Sequence, residues 1–198
     1  MRDFIRFRGF PEADAEDLTQ VFLVRLCERS VWRRAEAARG RFRSFLLGAL
    51  AHFLADELDR RNTQKRGGQH EHVSLPSEDT TPLAAVPADA ATRFDREWAF
   101  SITEQALAEL TAEWAERAEM FTILKRFLPG AGEPLTLEDG AQQLNLNLPA
   151  MKSQVHRLRA RFRELVRQQV AVTVSAPHEI EEELQHLGRV LMDRATPL

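Results

Sequence analysis

Lys152, Ser153, Gln154 and His156 stand close together near the start of a basic stretch that runs from Pro149 to Gln169. Their side chains suit hydrogen bonding to base edges. A glutamine pairs bidentately with adenine, and a lysine bonds guanine in the major groove. Arg157, Arg159 and Arg161 follow within the next turn and a half and suit phosphates, which position a protein on a duplex without specifying its sequence. Met151, Val155, Leu158, Phe162 and Leu165 step through the same stretch by four, three, four and three. That is an apolar stripe able to seat a helix while the cations cover much of its remaining surface. Residues 149–170 carry 6 basic and 1 acidic side chain, a net +5 within a chain whose total is −3.

A second group combines aromatic and basic residues: Arg41, Phe42, Arg43 and Phe45, with Arg60, Arg61, Lys65 and Arg66 at the far end of the same segment. Rings that stack on bases beside cations that follow the backbone suit single-stranded nucleic acid. The same phenylalanines also fall in step with Leu46, Ala49, Leu50, Phe53 and Leu54, which is equally the core face of an amphipathic helix. Basic residues in a last helical turn complement the helix dipole, so that cluster also has a purely structural reading.

Little in the chain suits catalysis. His52 and Asp56 lie one helical turn apart, and His70 and His72 flank one residue, but neither pair has the third ligand that a zinc site requires. No nucleophile–base arrangement and no phosphate-cradling glycine loop is visible. Cys27 is the only cysteine, so no internal disulfide forms. These absences point to a binding protein rather than an enzyme, with no metal or cofactor expected. No apolar run reaches the roughly 20 residues a membrane helix needs, and the start of the chain has no signal-peptide core. The expected location is cytoplasmic.

The elements that position these residues are helical throughout. Apolar residues recur at steps of three and four, and no segment alternates as a half-buried strand does; the expected fold class is all-α. Phe4 to Phe10 reads as the tail of a helix, punctuated by Gly9 and Pro11. Asp14 offers an N-cap to a helix with Leu18, Phe22 and Leu26 on its apolar face. The Phe42 segment forms a long helix. Gly67, Gly68, Pro76, Pro82 and Pro87 mark a linker over 67–92. From near Arg93, the positions Phe94, Trp98, Ile102, Ala106, Leu110 and Trp114 form one core face, followed by a short helix with Phe121, Leu124, Phe127 and Leu128 inward. Thr136 caps a short helix with Asp139 at the capping-box distance. Asn145 tolerates the left-handed backbone of a tight turn, and Asn147 caps the basic helix with Pro149 in its first turn. A short helix, a tight turn and a basic helix make a helix-turn-helix, whose second helix enters the major groove. A last helix follows Pro177 through Ile180, Leu184, Leu187 and Leu191, its first turn crowded with Glu179, Glu181, Glu182 and Glu183. Because this acidic segment adjoins the basic one, it is expected to shield the basic helix.

These segments, in this order, resemble the extracytoplasmic-function (ECF) group of bacterial RNA polymerase sigma factors. The string from Asp14 to Phe22 (DAEDLTQVF) is similar to the family's core-binding segment. Arg39 to Leu46 (RGRFRSFL), running on to Arg60–Arg66, is similar to its promoter-melting segment. Met151 to Arg161 (MKSQVHRLRAR) is similar to the recognition helix of region 4. The tail from FRELV at Phe162–Val166 to EEEL at Glu181–Leu184 looks like a planctomycete- and verrucomicrobial-type branch. The resemblance implies a region 2 domain over 1–66, the linker over 67–92, a region 4 helix-turn-helix domain over 93–170 and an acidic extension over 171–198. It implies that Asp14, Glu16, Asp17, Leu18, Gln20 and Phe22 dock on the β′ clamp helices of the polymerase core, with the β flap as a second contact. It further implies that Arg41, Phe42, Arg43, Phe45, Arg60, Arg61, Lys65 and Arg66 hold the melted minus-ten element. Lys152, Ser153, Gln154, His156, Arg157, Arg159 and Arg161 would then bind the minus-thirty-five element of promoter DNA. An anti-sigma factor is a further partner of the kind the family uses.

Some positions depart from the family pattern. Relatives carry another helix ahead of Arg2, so the implied region 2 lacks its first helix. Gln154 stands where many relatives have arginine, Asn145 where glycine is usual, and Gly140 falls inside a helix it should weaken by about 1 kcal/mol. A stand-alone helix-turn-helix regulator is the competing reading; it has no use for the acidic–apolar helix at 14–22.

Overall fold

The computed structural model describes residues 1–28, 42–65, 86–130 and 135–192. Arg41, Arg66, the His70–His72 pair and the Lys65 side chain lie outside them. Every regular element among the described residues is helical: α1 (Arg2–Phe7), α2 (Glu12–Glu28), α3 (Phe42–Lys65), α4 (Ala88–Glu113), α5 (Ala118–Leu124), α6 (Leu137–Gln143), α7 (Leu148–Ala171) and α8 (Glu179–Met192). The chain forms two units. One comprises Met1–Phe100 together with Thr173–Leu198, the other Ser101–Val172.

The first unit is organised around α3. Its residues Leu46 to Leu50 are buried in unbroken succession, and Phe53 and Leu54 follow. A helix buried nearly all round is a central helix, not a one-sided amphipathic one, so the expected stripe is too narrow and omits Leu47. Phe4, Ile5, Phe22 and Phe94 complete this core, with Phe22 and Phe53 rings 5.5 Å apart and Phe4 edge-on to Phe94 at 6.0 Å. α2 begins at Glu12, directly after Pro11, and not at an Asp14 cap. Asp14 instead accepts a 2.6 Å hydrogen bond from Arg61. α4 begins at Ala88, inside the stretch read as linker, where Asp89 supplies an acidic first turn. Phe94 and Trp98 serve the first unit's core, while Ala106, Leu110 and Trp114 of the same helix serve the second.

The second unit packs α5, α6 and α7 around Leu110, Phe121, Leu124, Met151, Leu158 and Leu165. Local chemistry at its turns follows the sequence. Thr136 Oγ1 accepts from the Asp139 amide at 3.1 Å, and Asn147 Oδ1 accepts from the Ala150 amide at 2.8 Å. Asn145 takes a φ of 51° between α6 and α7. Gly140 has a reason to lack a side chain: a Cβ there would lie 2.6 Å from Met151 Cε and 2.9 Å from Phe127 Cζ. The glycine therefore lets α6 approach the start of α7 closely. Gly140→Ala gains about 1 kcal/mol of helix propensity but overpacks a site where such insertions cost about 1–3 kcal/mol. The expected outcome is a net loss of about 1 kcal/mol in urea unfolding; unchanged or increased stability would mean that Met151 and Phe127 yield freely.

Candidate nucleic-acid interface

The apolar stripe of α7 is buried as its spacing requires: Met151, Val155, Leu158, Phe162 and Leu165 are all at most 9% exposed. Shifted by one residue along the same steps runs a second stripe of Lys152, His156, Arg159 and Arg163. These four line an open cleft of about 490 Å³ whose other wall is Phe127, Leu135 and Leu137. Among the described residues no carboxylate lines it. Arg159 is held in place by donating from Nε to the Phe127 carbonyl at 2.9 Å. Arg163 is not among the expected binding residues, although its position four residues after Arg159 and seven after His156 follows the stripe.

Other polar residues of α7 are differently placed. Ser153 and Arg157 are exposed on the adjoining row, and Gln154 is half-buried. Arg161, assigned to phosphate, grips Glu113 of α4 with a forked hydrogen-bonding pair, Nε lying 3.0 and 3.1 Å from the two carboxylate oxygens. The hydrogen bond from Arg161 lowers the Glu113 pKa, against a small opposing effect of burial. The same bond raises that of Arg161.

The residues assigned to melted DNA are less available than their types suggest. Arg43 is buried, 7% exposed, and bonds two carboxylates: Asp95 of α4 and Glu183 of α8, the latter at 2.8 Å from Nε. Burial alone would lower its pKa, but the Glu183 hydrogen bond and the charges of Asp95 and Glu183 outweigh this and raise it. As placed, Arg43 cannot also hold a phosphate. Phe42 and Phe45 are half-buried, Phe42 packing against Phe45 and Trp98 with centroids 6.2 and 6.1 Å away. Arg60 bonds Glu57 at 2.7 Å, and Arg61 bonds both Asp14 and Glu57. Arg61 also lies over the Phe10 ring at 5.0 Å.

Among the residues assigned to polymerase docking, Glu16, Asp17 and Gln20 are exposed and Asp14 is committed to Arg61. Leu18 and Phe22 belong to the core, 6% and 0% exposed, so they shape α2 from beneath and offer no surface to a partner. Val21, Leu23 and Val24 are exposed large apolar residues of that helix. The acidic C-terminal helix, expected to shield the basic helix, makes its buried polar contacts within the first unit. Its buried Glu183 is spent on Arg43, and His186 Nε2 lies 2.8 Å from Asp95 Oδ2.

Compared with protein-family models, curated proteins and solved structures, the chain matches none. Among the described residues no three His, Cys, Asp or Glu side chains are grouped to hold a metal, and His52 stands 3.3 Å from Asp56 without a third ligand. No helix among them is long and apolar enough to cross a membrane.

Because the folded Glu113 carboxyl titrates below its ordinary range, the stability this pair contributes is present above that range. It is lost as pH falls through the lowered midpoint. A carboxyl-carbon NMR titration is expected to find the depressed midpoint, and Arg161→Gln to return it to the ordinary glutamate range. An undepressed midpoint in the unaltered chain would contradict the forked pair.

Proposed function

We propose that this chain is a sigma-type promoter-specificity subunit, built from a region 2-like domain and a region 4-like helix-turn-helix domain with a linker between them. The observation that carries the reading is the stripe of Lys152, His156, Arg159 and Arg163 along α7, uninterrupted by any carboxylate. A helix capped by Asn147, preceded by a short helix and a left-handed Asn145, presents that stripe. Such a helix meets a polyanion with its cations while its N-terminal residues reach base edges. Lys152, Ser153, Gln154, His156 and Arg157 would read the upstream promoter element. Arg159 and Arg163 would take phosphates, and Arg161 would do so only on releasing Glu113.

Support for a polymerase partner comes from α2. Its exposed side combines Glu16, Asp17 and Gln20 with Val21 and Val24, an acidic–apolar surface that a free-standing repressor has no use for. The proposed partners are therefore core polymerase and promoter DNA, with a cytoplasmic location and no catalytic role of the chain's own. One observation favours the second reading, a stand-alone helix-turn-helix regulator: Arg43, Leu18 and Phe22 are internal, which thins the set of residues left for melting and core binding.

A pull-down with purified core polymerase separates the two. The intact chain is expected to be retained, and Asp17→Ala with Gln20→Ala to reduce retention about tenfold, as loss of two exposed interface contacts at the low end of hot-spot size would. No retention of the intact chain would leave the stand-alone regulator.

A further inference from the structure

We infer that the C-terminal helix is an autoinhibitory strap, closing the single-stranded nucleic-acid site of the first unit by occupying Arg43 with Glu183. This rests on the reading that the Phe42–Phe45 segment contacts single-stranded DNA, and adds its regulation. Residues separated by 140 positions are brought together: Arg43 Nε donates to Glu183 Oε1 at 2.8 Å. The strap is fastened at two further points. The Thr173 carbonyl accepts from the Phe42 amide at 3.0 Å, which occupies the first N–H of α3. His186 reaches Asp95, the other carboxylate on Arg43.

The chemistry of this contact is that of a substitute for phosphate. Arginine forms charge-assisted hydrogen bonds with carboxylate and phosphate through the same planar donors. Glu183 thus fills the place a phosphate would take, at a residue that stands in the sequence between Phe42 and Phe45, whose rings suit base stacking. Glu183 is 1% exposed in a helix whose neighbouring glutamates, Glu181 and Glu182, lie in solvent. The closed arrangement also leaves a cost. The buried indole N–H of Trp98, packed against Phe42, makes no hydrogen bond, and an unmet buried donor of this kind is unfavourable. An incoming strand that displaced α8 would regain an acceptor for Arg43, and rearrangement around Phe42 would expose Trp98 to one.

The test uses the full-length chain and a fluorescent oligodeoxythymidine, which presents phosphates and stackable bases without duplex readout. Glu183→Gln keeps the side-chain shape and removes the charge. It is expected to raise affinity at low salt on the order of tenfold, within the usual range for coupled sites. Freeing one cation should also steepen the salt dependence by about 0.7 in log–log slope. Adding Arg43→Gln should cancel both gains. In the unaltered chain, saturating oligonucleotide should speed amide hydrogen exchange across 179–192. Folded Glu183→Gln with unchanged affinity, an α8 whose exchange is unaffected by bound oligonucleotide, or failure of both chains to bind would each overturn the strap. The core-polymerase pull-down reads the broader function separately. Strap opening without core binding sinks that function alone, and core binding with an inert Glu183→Gln sinks the strap alone.

Discussion

Taking a guanidinium out of water costs several kcal/mol unless carboxylates and hydrogen bonds replace the solvent, and the first unit is arranged around meeting that demand at Arg43. The residue sits in the buried first half of α3 and is 7% exposed with Glu183 of α8 seated on it. One carboxylate comes from Asp95 on α4 and the other from Glu183 on α8. Arg43 is thus one of the points that join Thr173–Leu198 to the first unit, which the chain leaves at Phe100. Removing one partner of such a cluster is costly, because it leaves a charge buried and unmatched. The C-terminal helix is consequently a component of the first unit's fold.

The second unit answers to a different constraint, close packing at the α6–α7 junction. Gly140 accommodates Met151 and Phe127 where a methyl group would collide. The caps at Thr136 and Asn147 satisfy exposed helix ends, and Asn145 supplies the left-handed turn. With the apolar stripe of α7 committed inward, the stripe next to it is left facing solvent, and it carries Lys152, His156, Arg159 and Arg163. A chain with a net charge of −3 thus presents a concentrated cationic row at one place. The arginines divide by neighbourhood. Arg161 meets Glu113, Arg61 meets Asp14 and Glu57, and Arg43 is sealed in the core, leaving fewer for a polyanion than the composition suggests.

The second unit was legible in the sequence because its determinants are local. Capping residues act over three positions, a tight turn over one, and the α7 stripe over steps of three and four; each appeared where its chemistry required. The first unit was less legible because its decisive contacts are distant. Arg43 looked like a nucleic-acid contact, since nothing nearby announces that residue 183 will meet it. A signal was nevertheless present: Glu183 shares the inward register of Ile180 and Leu187, and Arg43 that of Leu46, Leu47 and Leu50. Opposite charges each standing in an apolar register are candidates for one buried pair. Similarly, Leu18 and Phe22 bore two readings, core and docking surface, and only the packing of Phe22 against Phe53 decided for the core. The start of α4 at Ala88 was hidden by Pro87, which marks a linker and equally well precedes a helix.

Run-off transcription tests most directly the proposal that α7 reads promoter DNA on behalf of RNA polymerase. Core polymerase and a library of genomic promoter fragments would be combined with this chain or with its Lys152→Ala/Gln154→Ala variant. The expected result is discrete transcripts that require the unaltered chain and share an upstream element, with the variant relaxing or losing that selection. Transcripts that appear equally without the chain, or none with it, would contradict the claim.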